Sequence, residues 1–130
     1  MKTIDQKLKL LEDTKDYYNK NTKRRCKSEE KCSYSGDTLG KKSMGCAVGR
    51  LLTPKKRVEL DEKGKGKKGY STVKQVWKDL PENVKVWGVF LLTELQIFHD
   101  NGINWDKNGI TESGKQSYEI IKKDIISGKL

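Results

Sequence analysis

The segment from Val84 to His99 constrains the fold most, because it is the longest largely apolar stretch of the sequence. Its large apolar residues recur at spacings of three or four: Trp87, Phe90, Leu91, Leu95 and Phe98. Four more, Val86, Val89, Leu92 and Ile97, spread the apolar character around most of a helical circumference. A helix that is apolar nearly all round is a buried one. We therefore predict a buried central helix over residues 84–99, with Asn83 as its N-cap.

Weaker patterns predict the elements that pack around this helix. Residues 3–19 show apolar residues at helical spacing, and a short helix is expected from Gly45 until Thr53-Pro54 stops it. Ser71 and Thr111 are candidate caps of two further helices. A glycine-bearing turn indicates a small β-hairpin near residues 32–43. The expected fold is mainly α (α+β), with about five helices in a single domain over residues 1–130.

The positive charge of the sequence is confined to one region. The formal net charge is +10, and residues 20–68 hold sixteen basic against six acidic residues, whereas the segments on either side are neutral. Within this region, residues 55–69 combine lysines with glycines and few core-forming residues, which predicts a mobile basic loop. A positive face of this density predicts an anionic partner.

The composition excludes some settings for the protein. No apolar run approaches the roughly 18–20 residues that a membrane span needs. The charged N-terminal pattern is not that of a signal peptide. Three cysteines are fewer and less regular than in a disulfide scaffold, so we expect reduced thiols and a cytoplasmic location.

Two segments resemble ion-binding motifs without completing them. Gly36 to Ser43 resembles a phosphate-binding P-loop, but it has one residue too few between its glycines and lacks the parallel sheet that the motif needs. Asn104 to Gly109 resembles a calcium loop, but Lys115 occupies the place of the closing carboxylate. We interpret the first as a hairpin turn and the second as a polar turn with Trp105 anchored in the core.

The cysteines and the single histidine suggest two further chemistries. Cys26, Cys32, Cys46 and His99 could bind zinc, but they lack the close Cys-x-x-Cys spacing of structural zinc sites. Cys46 could be a nucleophile near a helix start, with His99 and Asp100 as base and orienting group. The alternative is that Cys46 is a small buried residue and that His99 is hydrogen-bonded at a helix end. We expect no metal and no cofactor, and a catalytic role for Cys46, His99 and Asp100 only if the protein is an enzyme.

Three blocks of the sequence resemble a set of small uncharacterised proteins that occur largely in bacteriophages and mobile elements. The blocks are Cys32-x-Tyr34, the run from Gly45 to Leu52 (Gly-Cys-Ala-Val-Gly-Arg-Leu-Leu), and Leu91-Leu92-x-x-Leu95-Gln96-x-x-His99-Asp100 followed by Trp105. The resemblance implies a phage-borne accessory protein and carries over no catalytic residue. It also implies that residues of all three blocks lie near one another: Tyr34, Cys46, Gly49, Gln96, His99 and Asp100.

The leading functional hypothesis is a counter-defence protein that binds and sequesters an anionic, nucleotide-like molecule without converting it. The expected ligand-binding residues combine arginines for phosphate with an aromatic and two polar side chains: Arg24, Arg25, Tyr34, Arg50, Gln96 and His99. The alternatives are binding of nucleic acid and inhibition of a host protein. A cysteine-dependent hydrolase that uses Cys46 and His99 is a further hypothesis.

Overall fold

The computed structural model describes residues 2–22, 27–28, 31–32, 46–64 and 72–130. This part of the chain is mostly helical and includes small antiparallel strand pairs, as predicted. Its helices are α1 (Ile4–Lys20), α2 (Pro54–Gly64), α3 (Val73–Val76), α4 (Glu82–Lys85), α5 (Val89–Asp100) and α6 (Glu112–Ile126). Its strands are β1 (Lys27–Ser28), β2 (Lys31–Cys32), β3 (Trp105–Asp106) and β4 (Gly109–Ile110). None of the helices described is long and apolar enough to cross a membrane.

The first and last helices form as their sequence patterns predict, and both have side-chain caps. Thr3 and Gln6 form a reciprocal capping box at the start of α1. The hydroxyl of Thr111 accepts a hydrogen bond from the backbone N–H of Gly114 (3.1 Å) at the start of α6. Gly114 itself is buried against the chain at Asn104, where a Cβ atom would overlap the backbone oxygen of Asn104.

Tyr118 lies at the interface between α1 and α6. The ammonium of Lys15 lies 4.5 Å from the ring centroid of Tyr118. Burial raises the pKa of Tyr118 above its usual value, and the carboxylates of Glu12, Glu119 and Asp16 raise it further.

The central helix is shorter than predicted, because the apolar segment is split. Residues 84–99 do not form one helix: α4 ends at Lys85, and α5 begins only at Val89. Gly88 lies between them with φ +90°, a conformation that glycine adopts readily. Asn83 lies inside α4, whose N-cap is Pro81.

The core side of α5 is buried as predicted, but its opposite side is not. Leu91, Leu92, Leu95 and Phe98 belong to the hydrophobic core. Phe90 and Ile97 are 64% and 54% exposed. The prediction of a helix buried nearly all round is therefore wrong for this outer face.

The predicted basic loop over residues 55–69 is a helix over the part that the structure describes. Pro54 stands at the first position of α2, where its fixed φ suits a helix and its missing N–H is not needed. The hydroxyl of Thr53 accepts a hydrogen bond from the N–H of Lys56 (3.2 Å), and Leu60 is fully buried. The loop prediction is thus wrong for residues 55–64, while residues 65–69 lie outside the described residues.

The two strand pairs lie at other positions than the predicted hairpin. Of residues 32–43, only Cys32 is described, and it pairs with Lys27 in the β1–β2 pair. The second pair, β3–β4, joins Trp105 to Ile110 across a two-residue turn. In that turn the Asp106 carboxylate accepts a hydrogen bond from the N–H of Asn108 (2.7 Å), and Trp105 is 5% exposed. The segment that resembles a calcium loop is thus a polar turn with a buried tryptophan, as interpreted from the sequence.

Candidate functional site

The segment from Cys46 to Leu52, which we call the arginine turn, is a tight turn that lies inside the core. Its first four residues are buried, since Cys, Ala and Val side chains are small enough to pack there. The N–H of Arg50 donates to the carbonyl of Cys46 (2.9 Å), and a short 3-10 helix follows over Gly49–Leu51. The expected short helix is therefore a 3-10 turn, and it brings Arg50 out at the edge of the core.

A side-chain network joins the arginine turn to the end of α5. The amide oxygen of Gln96 accepts a hydrogen bond from the backbone N–H of Val48 (3.2 Å). The amide nitrogen of Gln96 donates to the Asp100 carboxylate (2.9 Å). The same carboxylate oxygen lies 2.6 Å from Nδ1 of His99. The block that contains Val48 and the block that contains Gln96 thus meet in space. Tyr34, from the Cys32-x-Tyr34 block, lies outside the described residues.

His99 is a core residue in this arrangement. Its side chain is fully buried, and its ring lies edge-on to that of Tyr18 with centroids 4.7 Å apart. The Asp100 carboxylate orients the imidazole through Nδ1. A ligand in solvent therefore reaches Asp100, whose side chain is 40% exposed, more easily than His99.

The side chain of Arg50, a predicted ligand-binding residue, is held against α1. Its Nη2 donates to the hydroxyl of Thr14 (3.1 Å), which in turn donates to the carbonyl of Leu10 (2.7 Å). Its guanidinium lies 5.3 Å from the ring centroid of Tyr17. Its Nε is buried and has no acceptor within the described part of the chain. The other two arginines predicted to bind ligand, Arg24 and Arg25, lie outside the described residues.

Arg57 is a second arginine at the same turn, and it was not among the residues predicted to bind ligand. Its Nε donates to the carbonyl of Gly49, which is the residue before Arg50, at 2.6 Å. The signal that would have found it is Pro54: a helix that begins there places Arg57 in its first turn, next to the arginine turn. Among the residues described, neither Arg50 nor Arg57 forms an ion pair with a carboxylate.

A cavity of about 430 Å³ borders the arginine turn on its C-terminal side. Its apolar wall includes Leu51, Leu80 and Pro81. The polar residues of its wall are Thr53, Lys56, Asp79 and Asn83. This cavity lies between the start of α2 and the connection from α3 to α4.

The environment of Cys46 matches the alternative of a small buried residue. Its side chain is 2% exposed, and its sulfur accepts a hydrogen bond from the N–H of Gly49 (3.4 Å). Within the described residues, no hydrogen bond joins this thiol to His99. Of the two contacts that a catalytic Cys46, His99 and Asp100 would need, the structure shows the one between His99 and Asp100.

The metal hypothesis concerns residues that are only partly described. In the described ranges, no group of three or more His, Cys, Asp or Glu side chains is placed to hold a metal ion. Cys26 lies outside those ranges, as does the segment from Gly36 to Ser43 that resembles a P-loop.

Comparisons with known proteins returned no match: no protein-family model, no curated protein and no solved structure is significantly similar to this chain.

Proposed function

We propose that this protein binds a phosphate-bearing, nucleotide-like anion at the arginine turn and holds it without chemical conversion. The observation that carries the proposal is that two guanidinium groups, those of Arg50 and Arg57, are anchored at one turn without a carboxylate partner among the described residues. A partly buried charge loses hydration and is stabilised when an anion supplies hydrogen bonds in return.

Arg50 is pre-organised for such a ligand. Thr14 fixes one terminal nitrogen, and Tyr17 supports the guanidinium. A guanidinium has five N–H donors, so most of those of Arg50 remain for other acceptors. Little side-chain entropy is lost on binding when the side chain is already held in place.

Arg57 complements it from the neighbouring helix. Its Nε is used by the Gly49 carbonyl, which leaves the edge formed by its two terminal nitrogens. That edge matches two oxygens of a phosphate group in a bidentate contact. An anion bound at this turn would thus be held by both arginines rather than by one.

The hydrogen bonds that join the arginine turn to α5 favour a binding site of fixed geometry. Val48, two residues before Arg50, is tied to α5 through Gln96, and Gln96 is held by Asp100. Sites keep their geometry when such outer hydrogen bonds lock the residues that carry the ligand-binding groups. The resemblance to phage proteins adds the biological setting to this proposal: an accessory protein that removes a nucleotide signal from use.

Calorimetric titration with inorganic pyrophosphate tests the proposal. Arg50→Gln is expected to weaken binding by about tenfold to a hundredfold, the equivalent of about 1.5–3 kcal/mol for a charge-assisted contact. The matched control is Lys115→Gln, which removes one positive charge from an exposed position on α6. Equal affinities for the two variants would show that net charge alone attracts the anion. Phosphorus NMR of the recovered ligand tests the absence of conversion, because the pyrophosphate should then be intact.

Nucleic acid is the second candidate, favoured by the ten excess positive charges of residues 20–68. Binding to a nucleic-acid backbone weakens steeply with salt, because it releases many counterions. A small anion at the arginine turn involves few charges and should show a shallow salt dependence. Titrations of pyrophosphate and of single-stranded DNA at two salt concentrations separate the two functions.

A further inference from the structure

We infer that the cavity beside the arginine turn binds the heterocyclic base of a nucleoside phosphate, whose phosphates lie at Arg50 and Arg57. This inference rests on the proposed function and narrows the ligand from a phosphate-bearing anion to a nucleoside phosphate. It concerns a surface that none of the sequence motifs indicated.

The cavity has the size that such a group requires. Its volume of about 430 Å³ falls in the usual range of small-molecule sites, roughly 300–1,000 Å³. An inorganic phosphate would leave most of this space to water. A planar ring system would occupy more of it and remove apolar surface from water.

The chemistry of the wall fits a planar heterocycle better than an ion. Leu51, Leu80 and Pro81 present aliphatic surface, on which the face of a base can pack. The Asn83 amide carries both donors and an acceptor, as the edge of a base does. The charged groups of the wall are the Lys56 ammonium, which pairs with Glu59 (3.3 Å), and the Asp79 carboxylate, which disfavours a bare anion in the cavity.

The cavity is lined by residues of the same two chain segments that carry Arg50 and Arg57. Leu51 directly follows Arg50, and Lys56 directly precedes Arg57. We therefore place the ring of a ligand that contacts both arginines in this neighbouring cavity. A nucleoside phosphate has this form: a charged end joined to an apolar ring by a short linker.

Titration of ADP and of inorganic pyrophosphate, each followed by calorimetry, tests the inference. We expect ADP to bind at least about tenfold more tightly than pyrophosphate, because only ADP places a ring in the cavity. Asn83→Trp should obstruct the cavity and abolish this difference, while pyrophosphate affinity stays within about twofold. The matched control is Glu82→Trp, since Glu82 is the neighbouring residue and its side chain is 88% exposed. Far-ultraviolet circular dichroism checks that both variants fold.

The outcomes separate this inference from the proposed function. Equal affinity for ADP and pyrophosphate, or an ADP preference that survives Asn83→Trp, would overturn the inference and leave the anion site standing. Failure of both ligands to bind at low salt would overturn the proposed function as well. An equal loss of the ADP preference in Asn83→Trp and Glu82→Trp would also contradict the claim that the base binds in the cavity.

Discussion

The backbone N–H of Val48 donates a hydrogen bond to the side-chain oxygen of Gln96, across 48 positions of sequence. Through this contact, α5 determines the position of the turn that bears Arg50. The nitrogen of the same amide is held by Asp100, so the orientation of the amide is fixed at both ends. The geometry of the candidate anion site thus depends on a residue that need not contact the ligand.

Replacement of Gln96 by Glu tests this positioning role. The new carboxylate keeps the acceptor for Val48 but loses the donor to Asp100 and sets two like charges together. We expect a loss of about 1–3 kcal/mol in the free energy of unfolding at neutral pH, measured by urea denaturation. Gln116→Glu, at an exposed position on α6, is the matched control and should change stability by no more than about 0.5 kcal/mol. Similar losses in both variants would show that Gln96 does not position the arginine turn.

Gly114 provides a test of the packing of α6. An alanine Cβ there would overlap the backbone oxygen of Asn104, and a backbone atom cannot move aside as a side chain can. Gly114→Ala should lower the free energy of unfolding by about 1–3 kcal/mol, despite the better helix propensity of alanine. At Gly102 a Cβ would meet nothing within 4 Å, so Gly102→Ala is the control and should be nearly neutral. A neutral Gly114→Ala variant would contradict the close approach of α6 to residue 104.

The raised pKa of Tyr118 predicts how the free energy of unfolding responds to alkaline pH. Burial and the neighbouring carboxylates raise its pKa in the folded protein above the value of 10.0 expected for an unperturbed tyrosine. The folded chain therefore keeps the phenolic proton at pH values where the unfolded chain has lost it. This contribution to stability is fully present below the unfolded pKa and is lost as the pH rises through the folded pKa.

The comparison of Tyr118→Phe with the original chain isolates this effect. Phenylalanine cannot ionise, so the variant should lose stability less steeply above about pH 10. Urea denaturation at a series of pH values gives the two slopes. Parallel slopes would mean that another group is responsible for the alkaline loss of stability.

The elements that the sequence predicted well are those with a local signal. The first helix has Thr3 and Gln6 at capping spacing, and α6 has Thr111 at its start, so their bounds follow from short-range chemistry. The break at Gly88 could not be predicted from apolar periodicity, because the pattern continues through it. Its cause is a backbone conformation with positive φ, which the identity of a single glycine permits but does not require.

The candidate site was predictable only in part. Arg50 and Gln96 were expected to bind ligand, and the structure places both at the arginine turn, although Gln96 acts there as a support. Arg57 was assigned to a mobile loop, because lysines and glycines dominate residues 55–69. The helix forms nevertheless because Pro54 starts it and Leu60 anchors it in the core, and packing of this kind outweighs local composition.

The pyrophosphate affinity of the double variant Arg50→Gln/Arg57→Gln, measured by calorimetry, shows most directly whether the arginine turn binds the anion. Its control is Lys107→Gln/Lys115→Gln, which removes the same charge from two exposed positions outside the arginine turn. We expect the arginine double variant to lose measurable binding, while the lysine double variant stays within about threefold of the original affinity. Equal affinities for the two double variants would contradict the claim that both guanidinium groups hold one anion.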